Sequence, residues 1–228
     1  MLFSTPPTPI AYRVISAFLR VVFRLVAKVE VLGTEHVPMN GPLLLTINHL
    51  SMLDVPVVMA LCPRQPLVAL PKKDYEDAPL GKLVSFLGLD AIYVERDSGA
   101  NLQALRTIIK RLKAGAAIGI APEGGRSRTG ALIEAKAGAA YLALQSGATV
   151  LPIAVWGQEK AIPEFKRLRR PRIYMHIGAP YTIENDPEKT RKENLDRATS
   201  DIMLAMVGLL PPEYHGFYAT ALEQQKDS

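Results

Sequence analysis

The sequence predicts an α/β fold in a single domain, with a sheet covered by helices on both faces. Three observations predict it. Short apolar runs alternate with longer helical patterns along the chain, the order expected of buried strands joined by helices. The 228 residues are 48% hydrophobic and 21% charged, enough to bury a sizeable core and too apolar for a disordered chain. No internal repeat or low-complexity stretch interrupts the pattern.

The elements follow in order. Pro9 to Lys28 is apolar but broken by Arg13, Arg20, Arg24 and Lys28, so it falls short of the ~18 uninterrupted apolar residues of a membrane span. It also lacks the layout of a signal peptide. Wound as a helix, its four cations fall within ~80° of arc, and most of the remaining surface is apolar. Such a helix either contacts an anionic bilayer or packs on the domain with its basic stripe in water. Residues 1–28 are therefore read as an N-terminal basic amphipathic, membrane-contacting helix, and 29–228 as the folded domain.

Leu43 to Ile47 reads as a buried strand entered through Asn40-Gly41-Pro42, and Met52 to Leu61 as the helix after it. Leu67 to Leu70 and Ala91 to Val94 read as short strands. Asn101 to Lys113 carries Leu102, Leu105, Ile108, Ile109 and Leu112 on one helical face and stops at Gly115. Ala117 to Ala121 is a strand, Lys136 to Gln145 a helix, Val150 to Val155 a strand. Arg172 to Ile177 alternates as a strand, and Glu193 to Leu209 is a late helix ended by Pro211-Pro212. Surface loops are expected at Pro71–Pro79, Glu123–Gly130 and Gln158–Pro171.

A single cysteine, Cys62, excludes a disulfide framework and a multi-cysteine zinc site. A net charge of +5 and a pI near 9.3 favour anionic partners. There is no G-x-S-x-G, no G-x-G-x-x-G and no P-loop, and His36, His49, His176 and His215 lack metal-type spacing. The basic run Lys166 to Arg172 contains no aromatic residue, unlike a nucleic-acid surface. With Cys62 reduced, the expected location is the cytoplasmic face of a membrane, peripheral or monotopic.

Three segments carry chemistry. In Asn48-His49-Leu50-Ser51-Met52-Leu53-Asp54, His49 follows an apolar strand and Asp54 lies five residues on. Across a strand-to-helix turn the two can meet: Asp54 fixes the imidazole tautomer, and the other nitrogen takes a proton from a hydroxyl. The alternative is a turn histidine, with Ser51 as N-cap and Asp54 favourably placed on the helix dipole. In Ala121-Pro122-Glu123-Gly124-Gly125-Arg126-Ser127, paired glycines admit an anion to backbone N–H groups and Arg126 can grip a phosphate; the alternative is a solvated turn. Arg96 ends the stretch Gly88 to Arg96, either at the same crevice, outside the carboxyl ends of the strands, or as a rim salt bridge.

These residues resemble the glycerolipid acyltransferases, most of all the 1-acyl-glycerol-3-phosphate (lysophosphatidate) acyltransferases. The N-H-x-x-x-x-D motif matches Asn48, His49 and Asp54. A glycine, an apolar strand and an arginine match Gly88, Ile92, Val94 and Arg96. F-P-E-G-T-R-S matches Pro122, Glu123, Gly124, Arg126 and Ser127. A proline-bearing strand matches Val150-Leu151-Pro152-Ile153-Ala154-Val155. The resemblance spans about residues 30 to 180. It implies a mixed, mostly parallel sheet, and acyl transfer from acyl-CoA or acyl-acyl carrier protein to a lysophospholipid hydroxyl, giving phosphatidic acid. It also implies His49 as general base oriented by Asp54, an acceptor phosphate held by Arg96, Glu123, Gly124, Gly125 and Arg126, and no metal or bound cofactor. Ala121 and Gly125 depart from the family's phenylalanine and threonine, and Gly125 removes a hydroxyl donor near the acceptor's phosphate. Other readings of the same residues are remodelling of another lysolipid, a thioesterase in which His49 activates water, and a catalytically silent lipid-binding protein.

Overall fold

A computed structural model describes residues 9–75, 90–95 and 102–220. Its sheet contains β1 (Lys28–Leu32), β2 (Leu43–Ile47), β3 (Leu67–Ala69), β4 (Ala117–Ile120), β5 (Thr149–Trp156) and β6 (Arg172–Ile177), in the order β1-β6-β5-β2-β4-β3. β5, β2, β4 and β3 run parallel to one another. β6 runs antiparallel to β5, and β1 lies parallel to β6. The sheet is thus mixed and mostly parallel, as expected.

The helices are α1 (Pro9–Val26), α2 (Asp54–Leu61), α3 (Leu102–Lys113), α4 (Gly138–Ser146), α5 (Ala161–Lys166) and α6 (Arg191–Val207). Strand alternation sorts the core into two layers. Leu44, Val150, Ala154 and Trp156 pack with Ile108 and Leu112 of α3, Leu142 of α4 and Ile202 and Met206 of α6. Leu43, Leu45, Leu151 and Ile153 face the other way, against Phe23 of α1 and Val57 and Val58 of α2. Local signals set the ends. Gly115, at φ 89°, stops α3, and Thr190 with Glu193 forms a capping box that starts α6.

Four expectations need correction. Lys28 opens β1 rather than closing the N-terminal helix; Lys-Val-Glu-Val-Leu alternates in burial and pairs with β6. Ala91 to Val94 is not a strand but makes isolated bridges to Ala69 and Lys72. The helix after β2 begins at Asp54, not Met52, because the Asp54 carboxylate takes the Leu50 and Ser51 N–H groups in the preceding turn. The expected loop Gln158–Pro171 contains a 3₁₀ turn, Gln158–Lys160, and α5.

α1 is docked on the domain. It buries Tyr12, Ser16 and Phe23. Ser16 Oγ donates to the Met59 carbonyl and Arg20 Nε to the Ala60 carbonyl, each at 2.9 Å. Arg20 therefore satisfies the carboxyl end of α2 rather than standing in water. The opposite face of α1 exposes Ile10, Val14, Phe18, Val21 and Leu25, which fall within ~80° of arc on a regular helix.

Candidate active site

The site lies where the carboxyl ends of β2, β4 and β5 meet. These three strands are parallel with β2 in the middle, so the segments after them emerge on one edge. Those segments supply His49, Glu123 and Gln158.

Asn48, buried, leaves β2 and clamps onto β5. Its Nδ2 donates to the Val155 carbonyl at 2.8 Å, and its Oδ1 accepts from the Val155 N–H at 2.7 Å. His49 is then held on both sides of its backbone. Its N–H donates to Glu123 Oε1 at 2.8 Å, and its carbonyl accepts from the Ser127 N–H at 2.8 Å. The turn that follows brings His49 Nδ1 to 2.7 Å from Asp54 Oδ2. The strand-turn-helix reading of this pair is therefore the one the fold adopts. The His49 side chain keeps 20% of its surface exposed and that of Asp54 only 3%, so the imidazole reaches solvent while its carboxylate partner does not.

Asp54 is saturated with donors. Besides the imidazole it accepts from the Leu50 and Ser51 N–H groups, from Ser51 Oγ at 3.0 Å and from Gln158 Nε2 at 2.7 Å. Both oxygens of this buried carboxylate are thus hydrogen-bonded, which fixes its position beside the imidazole. In the sequence Gln158 reads only as the start of a surface loop, not as a site residue. Gly157, at φ 90°, bends the chain out of β5 immediately before it, and a Cβ there would lie 2.1 Å from the Arg172 carbonyl oxygen. A glycine at a sharp strand exit was the one available signal.

Glu123 is 2% exposed, and both of its oxygens are taken by backbone groups: Oε1 by the His49 N–H and Oε2 by the Ile133 N–H at 3.0 Å. It joins the histidine turn to the segment after the glycine turn. Burial pushes its carboxyl up to about 7 against the pull of these two N–H donors.

Gly124 adopts φ 69°, and a Cβ there would lie 2.9 Å from Lys136 Cδ, so the lysine stem crosses the turn. A Cβ at Gly125 would meet nothing within 4 Å. Arg126 is exposed on this turn. Arg96 and Gly88 lie outside the described residues.

The segment after the glycine turn is latched by the late part of the chain. The Leu132 N–H donates to the Tyr214 carbonyl, the Phe217 N–H to the Leu132 carbonyl and the Ala135 N–H to Tyr218 Oη, each at 2.9 Å.

The chain is similar to known proteins along much of its length. A family model described as Acyltransferase matches residues 28–156. A 1-acyl-sn-glycerol-3-phosphate acyltransferase of Borreliella burgdorferi is 30% identical over 130 residues, covering 57% of this chain and 51% of that protein. The human 1-acyl-sn-glycerol-3-phosphate acyltransferase alpha is 28% identical over 130 residues, covering 56% and 45%. The chain thus spans about half the length of these curated relatives. The crystal structure of the 1-acyl-sn-glycerophosphate (LPA) acyltransferase PlsC from Thermotoga maritima superposes with a TM-score of 0.63 at 22% identity, over 87% of this chain and 78% of that one. That likeness concerns the fold.

Proposed function

The chain belongs to the acyltransferase family, and from that premise we propose that it transfers a fatty acyl group from a thioester donor, acyl-CoA or acyl-acyl carrier protein, to the free hydroxyl of 1-acyl-glycerol-3-phosphate, giving phosphatidic acid. The single observation that carries the chemistry is the 2.7 Å His49 Nδ1 to Asp54 contact, with the histidine backbone pinned on both sides. The proton on Nδ1 is held by the aspartate, so Nε2 is the lone-pair nitrogen.

Nε2 takes the proton of the acceptor hydroxyl as its oxygen forms a bond to the thioester carbonyl carbon. Asp54 stabilises the imidazolium that results. The tetrahedral adduct collapses by breaking the carbon–sulfur bond, and the imidazolium returns its proton to the departing thiolate. No acyl-enzyme forms. Arg126 and the glycine turn bind the acceptor's phosphate, a role shared with Arg96. We assign Glu123 to positioning rather than to acceptor binding, because both of its oxygens are occupied by backbone N–H groups and a carboxylate repels phosphate.

The reading includes membrane contact through α1. Among the described residues no helix is long and apolar enough to cross a membrane. The exposed stripe of Ile10, Val14, Phe18, Val21 and Leu25 is flanked by the exposed Arg13 and Arg24, the pattern of a helix lying in an anionic interface.

The test is thiol release by purified protein, with acyl-CoA and acyl carrier donors crossed against lysophosphatidate, glycerol 3-phosphate and neutral lysolipids. Lysophosphatidate is expected to be preferred, with His49→Ala lowering turnover ~10²–10⁴-fold. A folded His49→Ala protein retaining more than about a tenth of turnover defeats the base assignment. Free fatty acid released without acceptor identifies a thioesterase instead.

A further inference from the structure

The end of α5 carries a residue whose type its turn does not favour. Arg167 closes the helix, and the chain reverses in a Schellman arrangement: the Arg169 N–H donates to the Glu164 carbonyl and the Leu168 N–H to the Phe165 carbonyl, each at 3.0 Å. The residue that takes the left-handed conformation in this motif is usually glycine. Here it is Leu168, at φ 55°. Such a backbone is unfavourable for a leucine, and it is repaid by no packing, because Leu168 is 98% exposed. The turn uses the conformation but not the leucine, whose side chain has no part in the folded core and is free for another role.

The surroundings identify the partner. Leu168 stands within Lys166, Arg167, Arg169, Arg170 and Arg172, and no acidic residue occurs between Phe165 and Ile183. Ile162 and Phe165, six and three residues earlier, are also exposed. The loop is tied to the helix already assigned to the bilayer: Arg170 donates to the carbonyls of Arg24 and Ala27 at the end of α1, at 2.8 and 2.9 Å. The neighbouring Leu25 and Val26 are exposed as well. One apolar prong ringed by cations, joined to an exposed apolar helix face, complements an anionic lipid surface.

We propose that Leu168 is a second membrane anchor, inserted into an anionic bilayer while the arginines around it bind lipid phosphates. This rests on the membrane reading of α1 and extends it: the protein is held at two points, so its orientation on the bilayer is fixed.

The experiment uses the full chain and vesicles of phosphatidylcholine with or without phosphatidylglycerol. In Leu168→Trp, the new indole is expected to shift its emission to the blue and to be quenched by brominated acyl chains, whereas the native Trp156, 8% exposed, is not. Leu168→Glu is expected to weaken vesicle binding about tenfold, the loss expected for one partly inserted leucine. Leu168→Gly is expected to weaken it as well without lowering Tm, since glycine accepts the backbone conformation. If the wild type itself ignores anionic vesicles, the membrane reading and this proposal fall together. If the wild type binds but the new indole stays in water and Leu168→Glu binds as well as wild type, the second anchor alone is overturned. An indole that responds to acidic acyl carrier protein and not to vesicles overturns it in favour of a protein-docking loop.

Discussion

Gln158 Nε2 lies 2.7 Å from Asp54 Oδ1, so the far end of β5 braces the carboxylate that orients His49. The contact joins residues 104 positions apart, and it forms because β5 is the direct neighbour of β2. Removing the amide takes from Asp54 a donor supplied from outside its own turn, so the carboxylate is held less firmly against the imidazole. Gln158→Leu is expected to lower kcat about tenfold, with the acceptor KM unchanged. A purely structural residue would lower Tm and leave kcat in place; that result would remove Gln158 from the site.

Glu123 makes stability depend on pH. Its carboxyl is raised from 4.5 to about 7 by burial, so between those values the folded chain holds a proton that the unfolded chain has released. Its contribution is fully present below about 4.5 and is lost as pH rises towards about 7. In Glu123→Gln this component of the Tm–pH slope should vanish. The amide presents an NH₂ to one of two N–H donors, so turnover should also fall, by about one to two orders of magnitude. Parallel Tm–pH curves for the two proteins would contradict the assignment.

At the glycine turn, Arg126→Ala should raise the KM for lysophosphatidate roughly 10- to 150-fold, the equivalent of one charge-assisted hydrogen bond, with little change in donor KM. Gly125→Thr should fold normally, because its Cβ meets no atom within 4 Å. The added hydroxyl is expected to lower the acceptor KM. An Arg126→Ala enzyme with unaltered acceptor kinetics would show that the phosphate binds elsewhere.

The two faces of α1 should separate under mutation. Phe18→Glu on the exposed stripe is expected to release the protein from anionic vesicles with Tm unchanged. Deleting residues 1–28 is expected to unfold it, since this removes buried Tyr12, Ser16 and Phe23 and the first residue of β1. A folded deletion variant would mean that the α1–α2 contacts contribute little.

Much of this was legible in the sequence. The strand cores, α3 with its Gly115 stop, and the His49–Asp54 pair each rest on a local pattern of period, cap or turn. What escaped depends on neighbours in space. Gln158 bears no sequence relation to Asp54; only the β5–β2 adjacency brings them together. Glu123 read as a phosphate contact because its place in the motif does not reveal that two backbone N–H groups claim its oxygens. β1 does alternate, but the amphipathic period of α1 runs into it and hides the change from 3.6 to 2. α5, with Pro163 inside it and a basic run after it, has too few residues for a period to show.

The latch of Tyr214, Phe217 and Tyr218 on residues 132–135 has a consequence for the newborn chain. Synthesis delivers α1 first and this latch among the last described elements. α1 is complete while the ribosome is still at work, whereas the Glu123 strut stays unsecured until Tyr218 has emerged. Birth order thereby puts the contact proposed for α1 ahead of competence at the site.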